Sequence, residues 1–565
     1  MSPLPLTALP GDDAARDTLP AILRLRALRE PDRLAYRFFK GAALEPATLT
    51  FAQLWERSAA LAQHLQRLDL GGRGALLVCK SQPHFVVAFY ACLIAGVIAV
   101  PTAVPRRQNL QQRLELLAQD AGVRAVLSDA PEVDGLAIDG RLLPKIDLDA
   151  WSAHPDDVRA ELPPVPRDSI AFLQYTSGST GDPKGVMVTH ANLMHNCAEI
   201  QQAMGFTPES SIFTALPLFH DMGLVGGVLE SMFAGCVGNC MAPTEFVQYP
   251  ERWLQILSKF RITITGGPNF MFDLAERTVQ AEQMDGVDLS ALRVAFCGAE
   301  PIRAATMDRF TRKFASWGFA PSAFHPCYGM AEATLFVSGK TLSTRPAVAD
   351  VAGARVVSCG VPEGDTQVLI VDPETHLEVR DDTTGEIWVR GPSVAAGYWN
   401  RPALTARTFH ATLQGEPAPR HLRTGDLGFL RNGQLHVCGR LKDLIIVNGR
   451  KYAPQDLEEA AGASHAALHE GAAAAFCLHE DGLDRVIVVC ELRREWLRRV
   501  EHWTEIAAAL RSAVTAGHDV RIDDVVLLRP GTLPRTSSGK VRRAQCCADY
   551  QSQSLADVRR AGEPA

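Results

Sequence analysis

Apolar and polar residues along the chain alternate between two periods. The stretch "TFAQLWERSAALAQHLQRL", from Thr50, places Phe51, Leu54, Ser58, Leu61, Leu65 and Leu68 at helical intervals. Thr50 and Gln53 stand ahead of it in capping-box spacing. Between such stretches lie short apolar runs bounded by Gly, Pro or Asp: "GALLVCK", "IAVPTAV" and "RAVLSD", then "SIAFLQYT", "SIFTALPL", "ITITGG" and "RVAFCGAE". These read as buried strands. Strands separated by helix-length segments predict βαβ units and largely parallel sheets. The longest apolar run, Phe85 to Val100, falls short of the ~20 residues that span a bilayer. Its helix-like "FVVAFYACLIA" and β-branched "VIAV" predict a buried helix followed by a buried strand, with no integral membrane segment.

Past Cys359 the texture changes to "TQVLIVD", "GEIWVRG" and "GQLHVCGR", short strands with Gly-containing turns that predict a small antiparallel, barrel-like subdomain. From Arg440 onward a last unit mixes strands ("DLIIVNG", "RVIVVCEL", "DVVLLRP") with helices ("TEIAAALRSAV"). The expected fold is α/β. A large N-terminal domain over 1–439 would hold two parallel-type sheets (about 1–358) and the β-rich subdomain (about 359–439). A small, mobile C-terminal α/β domain over 440–565 would follow, with a frayed tail after Gln551.

Composition adds exclusions. The chain has 565 residues, 47% of them hydrophobic and 21% charged, the balance of a soluble globular protein of three or four units. A net charge of −7 offers no basic face for nucleic acid. The N-terminus lacks a basic, apolar signal pattern. Thirteen cysteines without a C-x-x-C pair argue for reduced, packed thiols and a cytoplasmic location.

The candidate chemistry starts at "YTSGSTGDPKGVMVTH", Tyr175 to His190. It follows the strand "IAFLQY" and precedes the helix "HANLMHNCAEIQQAM", so it reads as a turn between strand and helix. Hydroxyls, backbone amides and one lysine converging there would bind phosphate. The spacing is not G-x-x-x-x-G-K-[ST], because Gly185 follows Lys184, and a phosphate-loop NTPase is excluded on that ground. A plain surface loop is the alternative.

This segment resembles the phosphate-binding signature of the adenylate-forming superfamily, which includes acyl-CoA synthetases, peptide-synthetase adenylation domains and luciferases. "CYGMAEAT" (Cys327 to Thr334), "RTGDLG" (Arg423 to Gly428), "GRLKDLIIVNGRK" (Gly439 to Lys451) and "LPRTSSGKVRR" (Leu533 to Arg543) resemble its other motifs in the expected order. The resemblance implies ATP and Mg²⁺ as cofactors, and a carboxylate attack on the α-phosphorus that expels pyrophosphate. Such a reaction depends on positioning and positive charge. By the same resemblance Thr176, Ser177, Gly178, Ser179, Thr180, Gly181 and Lys184 would hold phosphate. Gly298, Ala299, Glu300, Tyr328, Gly329 and Met330 would flank the adenine, and Asp426 and Arg440 would take the ribose. Lys540 would be the catalytic cation between carboxylate and α-phosphate, Glu332 the catalytic Mg²⁺ ligand, and Lys442 the hinge. A buried acid used only as a cap is the alternative for each carboxylate.

"LPLFHDMGL" bears on the acid. Amino-acid-activating members carry an Asp where this chain has His220, so an α-amino acid is disfavoured. His220, Met222, Phe270 and Met271, with Leu224 and Val225, could line an acyl tunnel or simply be core. "GAEPIR", "CYGMAEATLFVSG" and "DLIIVNGRKYAPQDLE" resemble the fatty acyl-AMP ligases in particular, which load fatty acids onto the phosphopantetheine thiol of an acyl carrier protein. Here the thiol would enter near Gly449, and the carrier would act in trans. Members of that branch carry an insertion that opposes CoA. Only Lys340 to Ser358 stands in its place here, which keeps an acyl-CoA synthetase open as an alternative. A non-catalytic lipid- or nucleotide-binding module is the third reading. Against it, Thr176, Lys184, Glu332, Asp426, Arg440 and Lys540 are all present.

Overall fold

The computed structural model describes residues 17–41, 44–105, 108–153, 162, 164–177, 183–351, 354–447, 450–480, 483–536 and 540–558. The helix Phe51–Arg67 begins at the expected capping box, with Thr50 and Gln53 exchanging side-chain and backbone bonds. The run from Phe85 splits as the sequence predicts. The helix Gln82–Ala95 ends at Gly96 in the left-handed conformation, and the strand Ile98–Pro101 follows, both buried. No helix among the described residues is long and apolar enough to cross a membrane. All thirteen cysteines are free thiols.

Two largely parallel sheets form the first part of the chain. One has six strands in the order Pro183–Thr189, Ile170–Ser177, Ile98–Pro101, Gly74–Val78, Ala125–Ser128 and Lys145–Asp147. The other has nine. Its parallel centre runs Phe324–Gly329, Val294–Cys297, Ile264–Gly267, Ser211–Thr214, Val237–Met241 and Leu34–Phe39, with antiparallel strands at both edges. Near-continuous apolar strands such as Gly74–Val78 are buried on both faces, which is what a parallel sheet under helices demands. An antiparallel meander of Gln367–Val371, Gly385–Arg390, Leu422–Arg431 and Gln434–Arg440 follows.

One expectation is corrected. The hydroxyl-rich segment does not turn directly from strand into helix. Ile170–Ser177 pairs antiparallel with a further strand, Pro183–Thr189, and Lys184 lies opposite Thr176. Val186 and Val188 are buried, so the β-branched residues after the lysine make strand, and the helix His190–Met204 starts only after Thr189 caps it. Gly178, Ser179, Thr180 and Gly181 lie outside the described residues, as does Gly449.

The stretch that is short for an insertion contributes two antiparallel strands. Val348–Val351 pairs with Ala354–Val357, Val356 bridges to Arg303, and Arg355 reaches Asp308 at 3.0 Å. The pair of strands is thereby docked on the helix Ala304–Phe314.

Buried apolar side chains fall into separate clusters. Two are built from residues between Leu19 and Leu435, two from residues between Ile445 and Val558. The latter two lie on opposite faces of one three-stranded sheet, Leu468–Glu480, Leu483–Leu492 and Asp524–Leu528. Val486 and Val488 face the helices Pro454–Ala463 and Trp503–His518, whereas Ile487 and Val489 face Arg543–Gln551. Arg543 forks onto Glu458 at 2.6 and 2.7 Å and adds Asp443 at 3.1 Å.

The largest aromatic cluster centres on Phe310, whose ring lies 4.5 to 6.0 Å from those of Phe314, Phe319, Phe272, Phe324 and Trp253. Phe310→Ala is expected to cost about 3–5 kcal/mol. Urea denaturation would show this as an earlier first transition, and an unmoved midpoint would contradict it.

Candidate functional site

The described residues enclose a cavity of about 2980 Å³ between the two parallel sheets, the meander and the last unit. At one end the strand Phe324–Gly329 delivers Tyr328, whose hydroxyl donates to Asp426 Oδ2 at 2.8 Å. Arg440 stands opposite Asp426 across the meander ladder and places Nε 3.0 Å from Oδ1. The Asp426 backbone is fixed by Thr424, whose hydroxyl accepts from the Asp426 amide and donates to Ile387 O. Burial and the Asp426 charge push the Tyr328 phenol up, and the same carboxylate raises the Arg440 guanidinium. Gly298, Ala299, Glu300, Gly329 and Met330 line the same end. Gly329 must be glycine, because a Cβ there would lie 1.8 Å from Leu335 O, inside the turn closed by Met330 N and Leu335 O at 2.8 Å. Ala299 sits at φ +73°.

Glu332 follows on a 3₁₀ turn, with Oε1 accepting from the Tyr398 hydroxyl at 2.8 Å. Burial raises its pKa against the lowering effects of Tyr398 and Arg440. Lys184 lies over the Tyr398 ring, 5.6 Å from its centre, and it lines the cavity with Thr176. Ser177 ends its strand beside them. Among the described residues no group of three or more His, Cys, Asp and Glu could cage a metal. The half-buried Glu332 carboxylate suits a hard cation that keeps waters and substrate phosphates as its other ligands, so this donor fits Mg²⁺.

Lys540 reaches the cavity from the last unit. Its loop is closed at the base, where Lys540 N donates to Thr536 Oγ1 at 3.0 Å and Thr536 N to Lys540 O at 2.8 Å. Burial and Arg440 lower its pKa, while Asp221, Glu300 and Asp426 oppose them. Asp221, which the sequence reading missed, is only 8% exposed and lies 2.5 Å from His220 Nδ1. It also accepts the Met222 amide at 2.7 Å. Burial works to raise its pKa, yet His220 and Lys540 bring it below the ordinary value. Lys442 lines the cavity on the turn after Arg440. Arg309 joins Asp273 to Glu470 of the last unit, at 2.9 Å to each.

His220, Met222 and Phe270 line the cavity as expected. Met271 is 1% exposed and packs its sulfur into the space left by Gly267. The apolar wall also includes Ile200 and Met204 from the helix His190–Met204, Gly226 from the turn Leu224–Leu229, and Leu335 and Phe336. No local pattern marks these residues, because ordinary helix and strand residues become wall only through the fold. Four cysteines, Cys79, Cys327, Cys359 and Cys438, also line it. Burial pushes every one of these thiols up, Cys327 to about 12 and Cys438 to about 11.

A family model described as AMP-binding enzyme matches residues 23–399, and one described as the AMP domain of Disco-interacting protein 2-like proteins matches 442–559. The chain is 38% identical to the medium-chain-fatty-acid–[acyl-carrier-protein] ligase JamA of Moorena producens, covering 95% of this chain and 96% of that one. It is 34% identical to the long-chain-fatty-acid–AMP ligase FadD26 of Mycobacterium marinum, over 95% and 98%. Its fold is similar to the crystal structure of a fatty acyl-adenylate ligase from L. pneumophila in complex with acyl adenylate and pyrophosphate. The TM-score is 0.74 and the identity 33%, over 98% of this chain and 99% of that one.

Proposed function

The chain belongs to the AMP-binding enzyme family, and from that premise we propose that it couples a fatty acid to AMP and passes the acyl group to an acyl carrier protein. The supporting observation is one continuous cavity among the described residues. It joins a carboxylate–tyrosine–arginine end, Lys184, Lys442 and Lys540, and an apolar wall, as a nucleotide, an anionic transition state and an acyl chain require.

In the first half-reaction a carboxylate oxygen of the fatty acid attacks the α-phosphorus of ATP, and pyrophosphate leaves. The Asp426 carboxylate can accept both ribose hydroxyls, with Tyr328 and Arg440 fixing its orientation. Lys184 and Thr176 face the phosphates from the hairpin. Lys540 draws the two anions together, and its positive charge is worth most where water is excluded. Glu332 would hold Mg²⁺, which neutralises phosphate charge when bound. In the second half-reaction the pantetheine sulfur attacks the acyl carbonyl, the thiol proton is lost, and AMP leaves.

The chain would turn about Lys442, with a domain boundary near 439–440. Arg440 is tied to Asp426 on one side of it, and Asp443 to Arg543 on the other. The 38% identity to a ligase named for an acyl carrier protein supports a carrier as the acceptor, and the free thiols fit a cytoplasmic enzyme.

The deciding experiment offers CoA and holo-carrier together to enzyme, ATP, Mg²⁺ and a medium-chain acid, with products read by mass. Acyl-carrier should dominate, and dominant acyl-CoA would overturn the acceptor. Lys540→Ala should lower adenylate formation at least about a hundredfold while sparing transfer from supplied acyl-adenylate. Because burial lowers the Lys540 pKa, the wild-type adenylation rate should fall with rising pH before the usual lysine range of ~10.4, and transfer should lack that limb. Asp426→Ala should raise the ATP KM about tenfold or more with little change for the acid. Gly226→Val puts a Cβ 3.2 Å from Leu335 and should shift preference to shorter acids. An unchanged chain-length profile would place the acyl chain elsewhere.

A further inference from the structure

A buried polar network behind Glu332 uses residues that none of the reactions above requires. Asn192, His195 and Glu199 share one face of the helix His190–Met204, turned toward residues 392–396. Asn192 Nδ2 donates to Pro392 O at 2.7 Å and Val394 O at 3.1 Å. Ser393 Oγ donates to Glu199 Oε2 at 2.7 Å. A hydroxyl has one proton, so the His195 Nδ1 at 2.8 Å donates to Ser393 Oγ. Asn196 Nδ2 also donates to Glu199 Oε2, at 3.3 Å, and to Phe336 O at 2.8 Å. Glu199 is 4% exposed, and its other oxygen has no hydrogen-bond partner among the described residues. A buried carboxylate held this way makes the strong, charge-assisted kind of bond, and it leaves little freedom to whatever donates to it.

The segment it holds leads directly to Glu332. Ser393 O accepts from Thr334 Oγ1 at 2.7 Å, and Ala395 N donates to Glu332 O at 2.9 Å. Three residues on, Tyr398 puts its hydroxyl on the Glu332 carboxylate. Thr334 stands at φ +65°, a conformation that a β-branched residue keeps only when its surroundings impose it.

We propose that Glu199 and Ser393 are positioning residues for Glu332: the buried bond between them fixes the segment 392–398, which in turn aims the Glu332 carboxylate into the cavity. This rests on the reading of Glu332 as the Mg²⁺ carboxylate. The same helix presents Ile200 and Met204 to the apolar wall, so one helix places both the acyl-facing surface and the metal-facing acid.

The test is calorimetric titration of the full-length protein with ATP, with and without Mg²⁺ and with no fatty acid present. The readout is the ratio of the two affinities. Glu332→Gln should remove the Mg²⁺ enhancement. Ser393→Ala and Glu199→Ala should reduce the ratio about fivefold, leaving Mg²⁺-free ATP binding and the fatty-acid KM unchanged. Glu199→Gln keeps an acceptor for the Ser393 hydroxyl and should retain most of the ratio. An intact ratio in Ser393→Ala beside a lost one in Glu332→Gln would overturn the positioning role alone. An intact ratio in Glu332→Gln would remove the metal reading, and this proposal with it. Should Glu199→Ala fail to fold, Ser393→Ala decides.

Discussion

Asp426 is held from two directions at once, and the rest of the site is placed relative to it. Tyr328 comes from the end of a parallel strand in the nine-stranded sheet, and Arg440 from the neighbouring strand of the meander. A carboxylate this buried is costly unless its oxygens are occupied, so the pair of bonds stabilises the docking of one sheet on the other as much as it orients the acid. Arg440 is also the last residue before the turn that leads into the separately packed C-terminal clusters. The position from which Lys540 reaches into the cavity is therefore set, through a few residues, by the same carboxylate.

The electrostatics follow from that geometry. Burial and then Arg440 lower the pKa of Lys540 against Asp221, Glu300 and Asp426, and burial, Arg440 and Lys184 lower that of Lys442 against Asp443 and Asp426. Burial raises Glu332 at the same time. Charges of both signs are thus kept in a poorly solvating cavity without full mutual compensation, which is the arrangement that a polyanion with its counter-ion completes. Preorganisation of this kind costs folding stability, and here the apolar and aromatic clusters around the site offset it.

Much of this was legible in the chain because its chemistry is local. The hydroxyls and glycines around Lys184 display their own logic, whereas the "TGD" ahead of Leu427 and the "SSGK" ending at Lys540 were legible through their resemblance to family motifs. The strands were legible too, since parallel strands buried on both faces are unbroken apolar runs. What escaped notice was assembled from afar. Tyr398, Asp221 and Ser393 are unexceptional residues in sequence, and only the fold brings Tyr398 to Glu332 across 66 positions. Polarity misled the reading of the hairpin, where alternating Val186 and Val188 outweighed the hydroxyls before them. For Met271 the sequence left tunnel and core both open, and the gap at Gly267 decides for core.

The thiols in the cavity wall bear on the proposed reaction in a second way. An acyl phosphate anhydride is an acylating agent, and sulfur nucleophiles attack it readily as thiolates but poorly as thiols. Cys327 and Cys438 are pushed to about 12 and about 11, and Cys79 and Cys359 are also raised, all chiefly by burial. Burial thus favours the thiol over the thiolate form for all four sulfurs in the cavity wall. An incoming thiol on a solvated arm does not share that burial and can ionise. On the proposed function, the burial that shapes the pocket would also keep its own sulfurs from competing with an acceptor for the acyl group.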